Sequence, residues 1–361
     1  MRAAILRQWV RAAGHLWVLM PPAALVVSTW IDKAFLVLGI VLLVFPLARV
    51  VFGGMSEGDP PDWDEGVAMA LERLPAVYAV VLVFSLSTLL MHLARTDVSP
   101  VAALGWALSL WITLMFGNCA AHELLHRPLL AERTIGHMLA GLGGYPLLGY
   151  EHHRHHRMPG NTAAAEWPTA SESVWRFAAR RLAAIMRESI APRGLLMCGN
   201  ARSPTVRGLR IAFATTLATW MFFGIAAGWH GLLLYLGVVV LVGFAMQLVT
   251  YMQHWGLGDD SVVDAKAGEY GWEGDCRFQV WLTMGLSLHH AHHRNGSLPY
   301  YRIGLDPASA RLPAGYVLLM FAAFVPPLWR RVMRPALEHW RSRPTAPLSS
   351  GRRITCVALY R

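Results

Sequence analysis

The sequence has 361 residues, 55% of them hydrophobic and 15% charged, with a formal net charge of +10. Apolar runs as long as a bilayer is thick, roughly 20 residues, exclude an ordinary soluble domain and mark an all-α, integral membrane helical protein. The positive charge is almost all arginine, lysine appearing only at Lys33 and Lys266, and it gathers between apolar runs, so it reads as a topology signal and not as a nucleic-acid surface.

In chain order the apolar runs predict about six transmembrane helices, over residues 16–30, 34–52, 75–94, 99–118, 208–228 and 231–251. The first follows Arg2, Arg7 and Arg11, as a secretory signal would, but more apolar sequence comes next and no small-residue cleavage site intervenes. Six crossings put the N-terminus, the 119–207 segment and the C-terminal tail on one side. Arg127, Arg154, Arg157, Arg176, Arg180, Arg181 and Arg187 crowd the middle segment, and Arg330, Arg331, Arg334, Arg341 and Arg343 the tail, which makes that side cytoplasmic. The short 53–74 loop, with Asp59, Asp62, Asp64 and Glu65, shares it; acidic residues count little in this rule. Residues 314–329, interrupted by Pro326 and Pro327, predict a helix packed on the domain or lying in the interface and not a seventh span. The expected organisation is 1–118 as N-terminal transmembrane helices, 119–335 as a catalytic region including the last two spans, and 336–361 as a tail. Cys119, Cys198, Cys276 and Cys356 lack the paired spacing of a disulfide framework or a thiolate metal site.

Eleven of the sixteen histidines fall in four groups at the ends of these spans. In "HELLHR", His122 and His126 are four apart, so both rings lie on one helix face and can share a metal. "EHHRHH" contains His152, His155 and His156 in an HxxHH pattern, repeated by His289, His292 and His293 in "LSLHHAHHR". Adjacent histidines on a helix diverge by about 100°. Each HH pair can therefore address two metals, with the histidine three residues before completing a set. "YMQHWGL" adds His254 after the last long span. The solitary His15, His92, His137, His230 and His339 read as packed or interfacial residues. "HELLH" also fits a zinc-protease pattern with Glu123 as general base, but that leaves the other two clusters without a purpose. A metal transporter would carry ionisable residues within its spans, and these spans are almost wholly apolar. Imidazole suits iron, zinc, copper and nickel alike, so the ligand type leaves the metal open.

The HxxxH, HxxHH, HxxHH arrangement resembles the membrane fatty-acid desaturase and hydroxylase superfamily. Two further stretches look like its integral-membrane alkane hydroxylases (alkane 1-monooxygenases) and the related xylene-type monooxygenases. "YMQHWGL" matches that group's extra HYG box, with Trp255 for the usual tyrosine, and "RLPAGY" through "PPLWRRVM" (311–333) is similar to the segment after its third histidine box. The similarity covers residues 118–335. The chain departs from the group in the shorter spacing of its second box, which is that of the desaturases, and in Ala291, where an aspartate usually stands. It reads as a divergent member.

The resemblance implies a cytoplasmic non-haem diiron centre with His122, His126, His152, His155, His156, His254, His289, His292 and His293 as ligands to two Fe. Glu123 and Glu151 match acidic residues beside the family's boxes and are expected to orient imidazoles; His153 and His290 are surplus to the pattern. The implied reaction is hydroxylation of an unactivated C–H bond, most simply a methyl, in an alkane or alkyl-arene, using O2. The rival is a fatty-acyl or lipid desaturase with the same centre. No flavin, haem or iron–sulfur motif is present, so electrons must arrive from outside, and the resemblance implies a rubredoxin or ferredoxin with its reductase as the donor. Such carriers are acidic, and Arg127, Arg154, Arg157 and Arg294 are candidates for steering them. Trp106, Trp111, Phe116 and Trp220 are candidates to line an apolar substrate channel. The expected location is a bacterial-type inner membrane.

Overall fold

The computed structural model describes residues 2–57, 62–258 and 270–342. Asp59, Arg343, Cys356 and the expected tail after residue 342 lie outside the described residues. Helix α1 (Arg2–Ala13), a 3-10 turn (Gly14–Leu19) and α2 (Met20–Trp30) form one apolar path, followed by α3 (Leu36–Phe52). Two long helices come next, α4 (Glu65–Arg95) and α5 (Pro100–Leu125). Their starts are dictated locally. The Asp64 side chain accepts the Gly66 N–H at 3.0 Å, and Ser99 accepts that of Ala102 at 3.2 Å, with Pro100 at the first helical position, where its missing N–H costs nothing.

Shorter helices follow: α6 (Leu130–Leu142), α7 (Leu148–Arg157), α8 (Val174–Ser189) and the single turn α9 (Leu195–Cys198). The long run α10 (Pro204–His254) returns into the bundle. After it come α11 (Arg277–Leu282), α12 (His289–Arg294), α13 (Tyr316–Phe324) and α14 (Pro326–Arg341). Strands β1 (Trp272–Glu273) and β2 (Ala310–Arg311) pair in parallel, Trp272 opposite Ala310. The expected helix over 314–329 is thus two, broken at Val325 before Pro326. Helix α14 carries the fold past residue 336 by burying Trp329, Met333 and Leu337.

By length and composition, four helical segments among the described residues can cross a membrane: Ala3–Trp30, Glu65–Arg95, Pro100–Leu125 and Pro204–His254. The difference from about six has two sources. The 17 residues of α3 span about 25 Å, short of a hydrocarbon core of about 30 Å. The 51 residues of α10 would run about 77 Å if straight, but the backbone leaves helical geometry at Ala227 and Gly228. The Trp220 indole donates to the Leu232 carbonyl at 3.1 Å, and the rings of Phe223 and Tyr235 stack at 4.9 Å. Residues twelve apart in a continuous helix would be about 18 Å apart. The run is therefore a hairpin with two limbs, matching the runs expected at 208–228 and 231–251. Gly228 makes the reversal with φ of +58°, where a side chain would be strained, and at Gly231 a Cβ would enter the Phe223 carbonyl of the other limb.

This architecture brings the ends of α5 and α10 to the same end of the bundle, where α7 and α12 lie. Of the proposed channel aromatics, Trp220 closes the hairpin, Trp106 packs on His92 with centroids 4.8 Å apart, and Phe116 packs on Phe45 at 5.9 Å.

Candidate metal centre

All nine histidines singled out above converge where these four helices meet, in two groups among the described residues. His122, His126, His152, His156 and His292 form one; His155, His254, His289 and His293 form the other. Within each, one nitrogen per ring lies within 4.8 Å of all the rest. Helical spacing explains the division, and it corrects one expectation. Each set is built on pairs four apart, not three: His122/His126 and His152/His156 in the first, His289/His293 in the second. Residues four apart differ by about 40° around a helix and those three apart by about 60°. The neighbours His155 and His292 therefore point away from their own box partners into the opposite set. Each HxxHH box serves both sets, and the rings of His156 and His293 stack at 4.3 Å across the boundary. The solitary histidines join neither group; His15, for example, is buried among Trp63, Trp281 and Tyr300.

The Nε2 atoms face one another closely. His152 to His126 is 2.6 Å, His155 to His254 and His254 to His289 are both 2.9 Å, His293 to His289 is 3.0 Å, and His156 to His292 is 3.2 Å. Nitrogens bound to one ion at about 2.0–2.1 Å would be about 2.9–3.4 Å apart. Burial also holds the rings neutral: it pushes His126 down to about 4, and His152, His156, His289, His292 and His293 well below the ordinary imidazole value, helped in His152 by the neighbouring His122, His156 and His126. Neutral imidazoles whose inward nitrogens converge leave lone pairs facing one another, an arrangement a cation at the centre would stabilise. The donor set, all nitrogen with no thiolate or carboxylate in either group, fits a borderline first-row metal.

Acid should destabilise this arrangement. With folded-state values below about 6.5, the unfolded chain binds more protons as pH falls through that value, so stability is lost on acidification. Metal-stripped protein is expected to melt progressively lower between pH 7 and pH 5, which thermal unfolding in detergent at fixed ionic strength would detect. An unchanged midpoint over that range would contradict the buried neutral imidazoles.

Carboxylates brace each part of the site. Glu123 ion-pairs with Arg127 at 3.0 Å and accepts the Tyr300 N–H at 3.3 Å, while Arg127 also pairs with Glu72. It is directed there and not as the base of a zinc-protease site, since His122 and His126 sit with three further histidines. Glu151 accepts from the Tyr145 hydroxyl and from Arg181 Nε at 2.9 Å. Arg181 is 1% exposed; it also donates to Glu166 at 2.7 Å and to the carbonyls of Ala165 and Glu166 at 2.9 Å. Glu166 Oε2 lies 3.5 Å from His155 Nδ1, and Arg154 holds its other oxygen at 2.6 Å. Burial alone would raise the Glu166 carboxyl, but Arg181 and His155 outweigh it and hold it at about 2. Glu273, fully buried, accepts from the Ala291 N–H at 2.9 Å, Ser309 Oγ at 2.6 Å and Arg311 at 3.0 Å, which pins the first turn of α12.

Arg127 and Arg154, expected on a carrier-facing surface, are 5% and 8% exposed and held inside these networks, so they are not surface charges. Arg157 is exposed, and Arg294 pairs with Asp306 at 2.7 Å on the surface. The surplus His290 is buried with Nε2 3.5 Å from Asp306, and His153 is half-buried and belongs to neither set.

A family model described as Fatty acid desaturase matches residues 98–321, a span that includes every one of the nine histidines. The chain belongs to the fatty acid desaturase family. Among characterised relatives, this family member is 26% identical to alkane 1-monooxygenase 1 of Pseudomonas aeruginosa, over 84% of each chain. It is 25% identical to alkane 1-monooxygenase 2 of the same organism, over 74% of this chain and 72% of that one. With the alkane 1-monooxygenase of Pseudomonas putida it shares 22% identity over 92% of this chain and 87% of the relative.

Sequence reasoning missed Glu166, Arg181 and Glu273 in this desaturase-family site. A signal was present for Arg181. It lies on the stripe Val174, Phe177, Ala178, Arg181 and Ile185, all buried, and a charge on the apolar face of an amphipathic helix demands a buried partner. Glu166, alone in "AAAEWP", carried a weaker form of the same signal.

Proposed function

We propose that the protein is a membrane monooxygenase that hydroxylates an unactivated C–H bond, most simply a methyl, of a hydrophobic substrate such as an alkane or alkyl-arene. The observation that carries this reading is the pair of all-imidazole sets, five and four rings, side by side where long apolar helices end. The alkane 1-monooxygenases named above support the substrate class. His122, His126, His152, His156 and His292 would hold one metal and His155, His254, His289 and His293 the other, both taken as iron. When bound there, the two irons would supply the redox chemistry by which O2 is activated toward a C–H bond.

The chain's own contribution is placement. The histidines fix two sites at the ends of α5 and α10, long apolar helices beside which a hydrocarbon dissolved in the bilayer would reach the site. Glu123 ties the end of α5 to the Tyr300 segment, and Glu151 braces α7 through Arg181. Inserting one oxygen atom into R–CH3 and releasing the other as water needs two electrons and two protons. We assign the electrons to a rubredoxin or ferredoxin with its reductase, approaching the arginine-rich side. We take the short α3 as a crossing in a locally thinned bilayer and count both limbs of α10; with six crossings, the arginine bias supports a cytoplasmic location for that side, the site and both termini, in a bacterial-type inner membrane. In this reading residues 1–118 anchor the protein and 119–335 carry the chemistry.

Desaturation is the second reading, favoured by the spacing of the second box and sharing the same site. Product analysis under 18O2 separates the two. Iron-replete membranes given a carrier pair would be offered alkanes, alkylbenzenes and fatty acids, and products identified by mass spectrometry. A labelled alcohol is the expected result; an unlabelled alkene would overturn the hydroxylase reading in favour of a desaturase.

A further inference from the structure

We propose that Glu166 is a positioning residue for one metal only, that of the four-histidine set, acting by holding the His155 proton on Nδ1 so that Nε2 is presented to the metal. This rests on the two-metal reading above. A neutral imidazole carries one proton, and whichever nitrogen keeps it cannot ligate. Nδ1 of His155 is buried and makes no formed hydrogen bond; the group facing it is Glu166 Oε2 at 3.5 Å, close enough for its charge to select the tautomer. On the far side of the same ring, Nε2 is 2.9 Å from that of His254 and 3.1 Å from that of His293.

The carboxylate is built to stay there. It is 1% exposed, with one oxygen held by Arg154 at 2.6 Å and the other by Arg181 at 2.7 Å, and Arg181 also grips the backbone carbonyls of Ala165 and Glu166. Two guanidiniums hold its charge, and the oxygen that Arg181 holds, Oε2, is also the one that faces the ring. The outward Nδ1 atoms of His254 and His289 in the same set are, like that of His155, buried without a hydrogen-bond partner, but no carboxylate among the described residues pairs with either. Among the described residues, His155 is thus the ring of that set with a carboxylate facing its outer nitrogen. Outer groups of this kind alter metal affinity by about 10–100-fold. Because His155 reaches across from α7 into the four-histidine set while His152 and His156 serve the other, the effect should fall on one metal.

The test is metal binding by full-length protein in detergent, stripped and titrated with Co(II) against a chelator, then loaded with 57Fe for Mössbauer spectroscopy. Wild type should bind two equivalents. Glu166→Gln should bind one within twofold of wild type and the other about 10–100-fold more weakly, and adding it to His155→Ala should weaken binding no further. Equal weakening of both sites would mean that the network is merely structural and would overturn the proposal, as would unchanged affinity at both. Wild type holding fewer than two equivalents would overturn the two-metal reading itself, and the proposal with it. Should Glu166→Gln fail to fold, Glu166→Asp keeps the charge for both arginines while withdrawing it from the ring. It should weaken the same single site by a smaller factor, and wild-type affinity in that variant would overturn the proposal.

Discussion

His254→Ala is expected to remove about half of the bound iron and to reduce hydroxylation to background. His254 is fully buried, its Nε2 is 2.9 Å from both His155 and His289, and its ring lies flat on Trp167 with centroids 4.4 Å apart. It is the hub of a set with only four members, so its removal leaves three ligands that come from two separate helices. The five-histidine set shares no ring with it and should keep its metal. Iron analysis of purified protein together with product formation checks both halves. Full retention of iron and activity would make His254 a bystander packed under Trp167. Retention of iron at one site with activity intact would show that hydroxylation does not need the second metal.

Arg181→Met is expected to cost about 3–5 kcal/mol, because it leaves the buried carboxylates of Glu151 and Glu166 without their shared counter-ion. Arg181 satisfies both carboxylates and two carbonyls with one planar fork, so Arg181→Lys, which presents a point charge, should recover only part of the loss. Thermal unfolding monitored by size-exclusion chromatography in detergent is the measurement. Melting within about 1 °C of wild type would show that water reaches the network. The pH profile adds a sign check. Glu166, held at about 2, contributes stability that is complete above the ordinary carboxylate value of about 4.5 and lost as pH falls from there toward 2. Any loss of wild-type stability between pH 7 and pH 5 therefore belongs to the histidines and not to this pair.

The histidine boxes were legible because their geometry is local. A spacing of four residues puts two rings on one helix face whatever the rest of the fold does, and His122/His126 needed nothing more. The allocation of His155 and His292 was not legible in the same way. It depends on how α7 and α12 are rotated against each other, and reasoning from spacing alone paired His155 with His152. The arginines illustrate the opposite error. Arg127 and Arg154 look like surface charge in a cationic segment, yet Glu72 and Glu123 hold Arg127 inside, and Glu166 and Glu188 hold Arg154.

What the sequence determined by itself is the apolar runs that become long helices, with the break between the two limbs of Pro204–His254, and the residue types available to bind metal. Each of these depends on interactions within a turn or two of helix, or on the solvent a segment prefers. Only the tertiary structure decided that nine rings divide five and four, and that Glu166 and not Glu151 faces His155. These depend on contacts between residues as far apart as His155 and His254, whose meeting is set by the packing of whole helices and leaves no periodic trace in the chain.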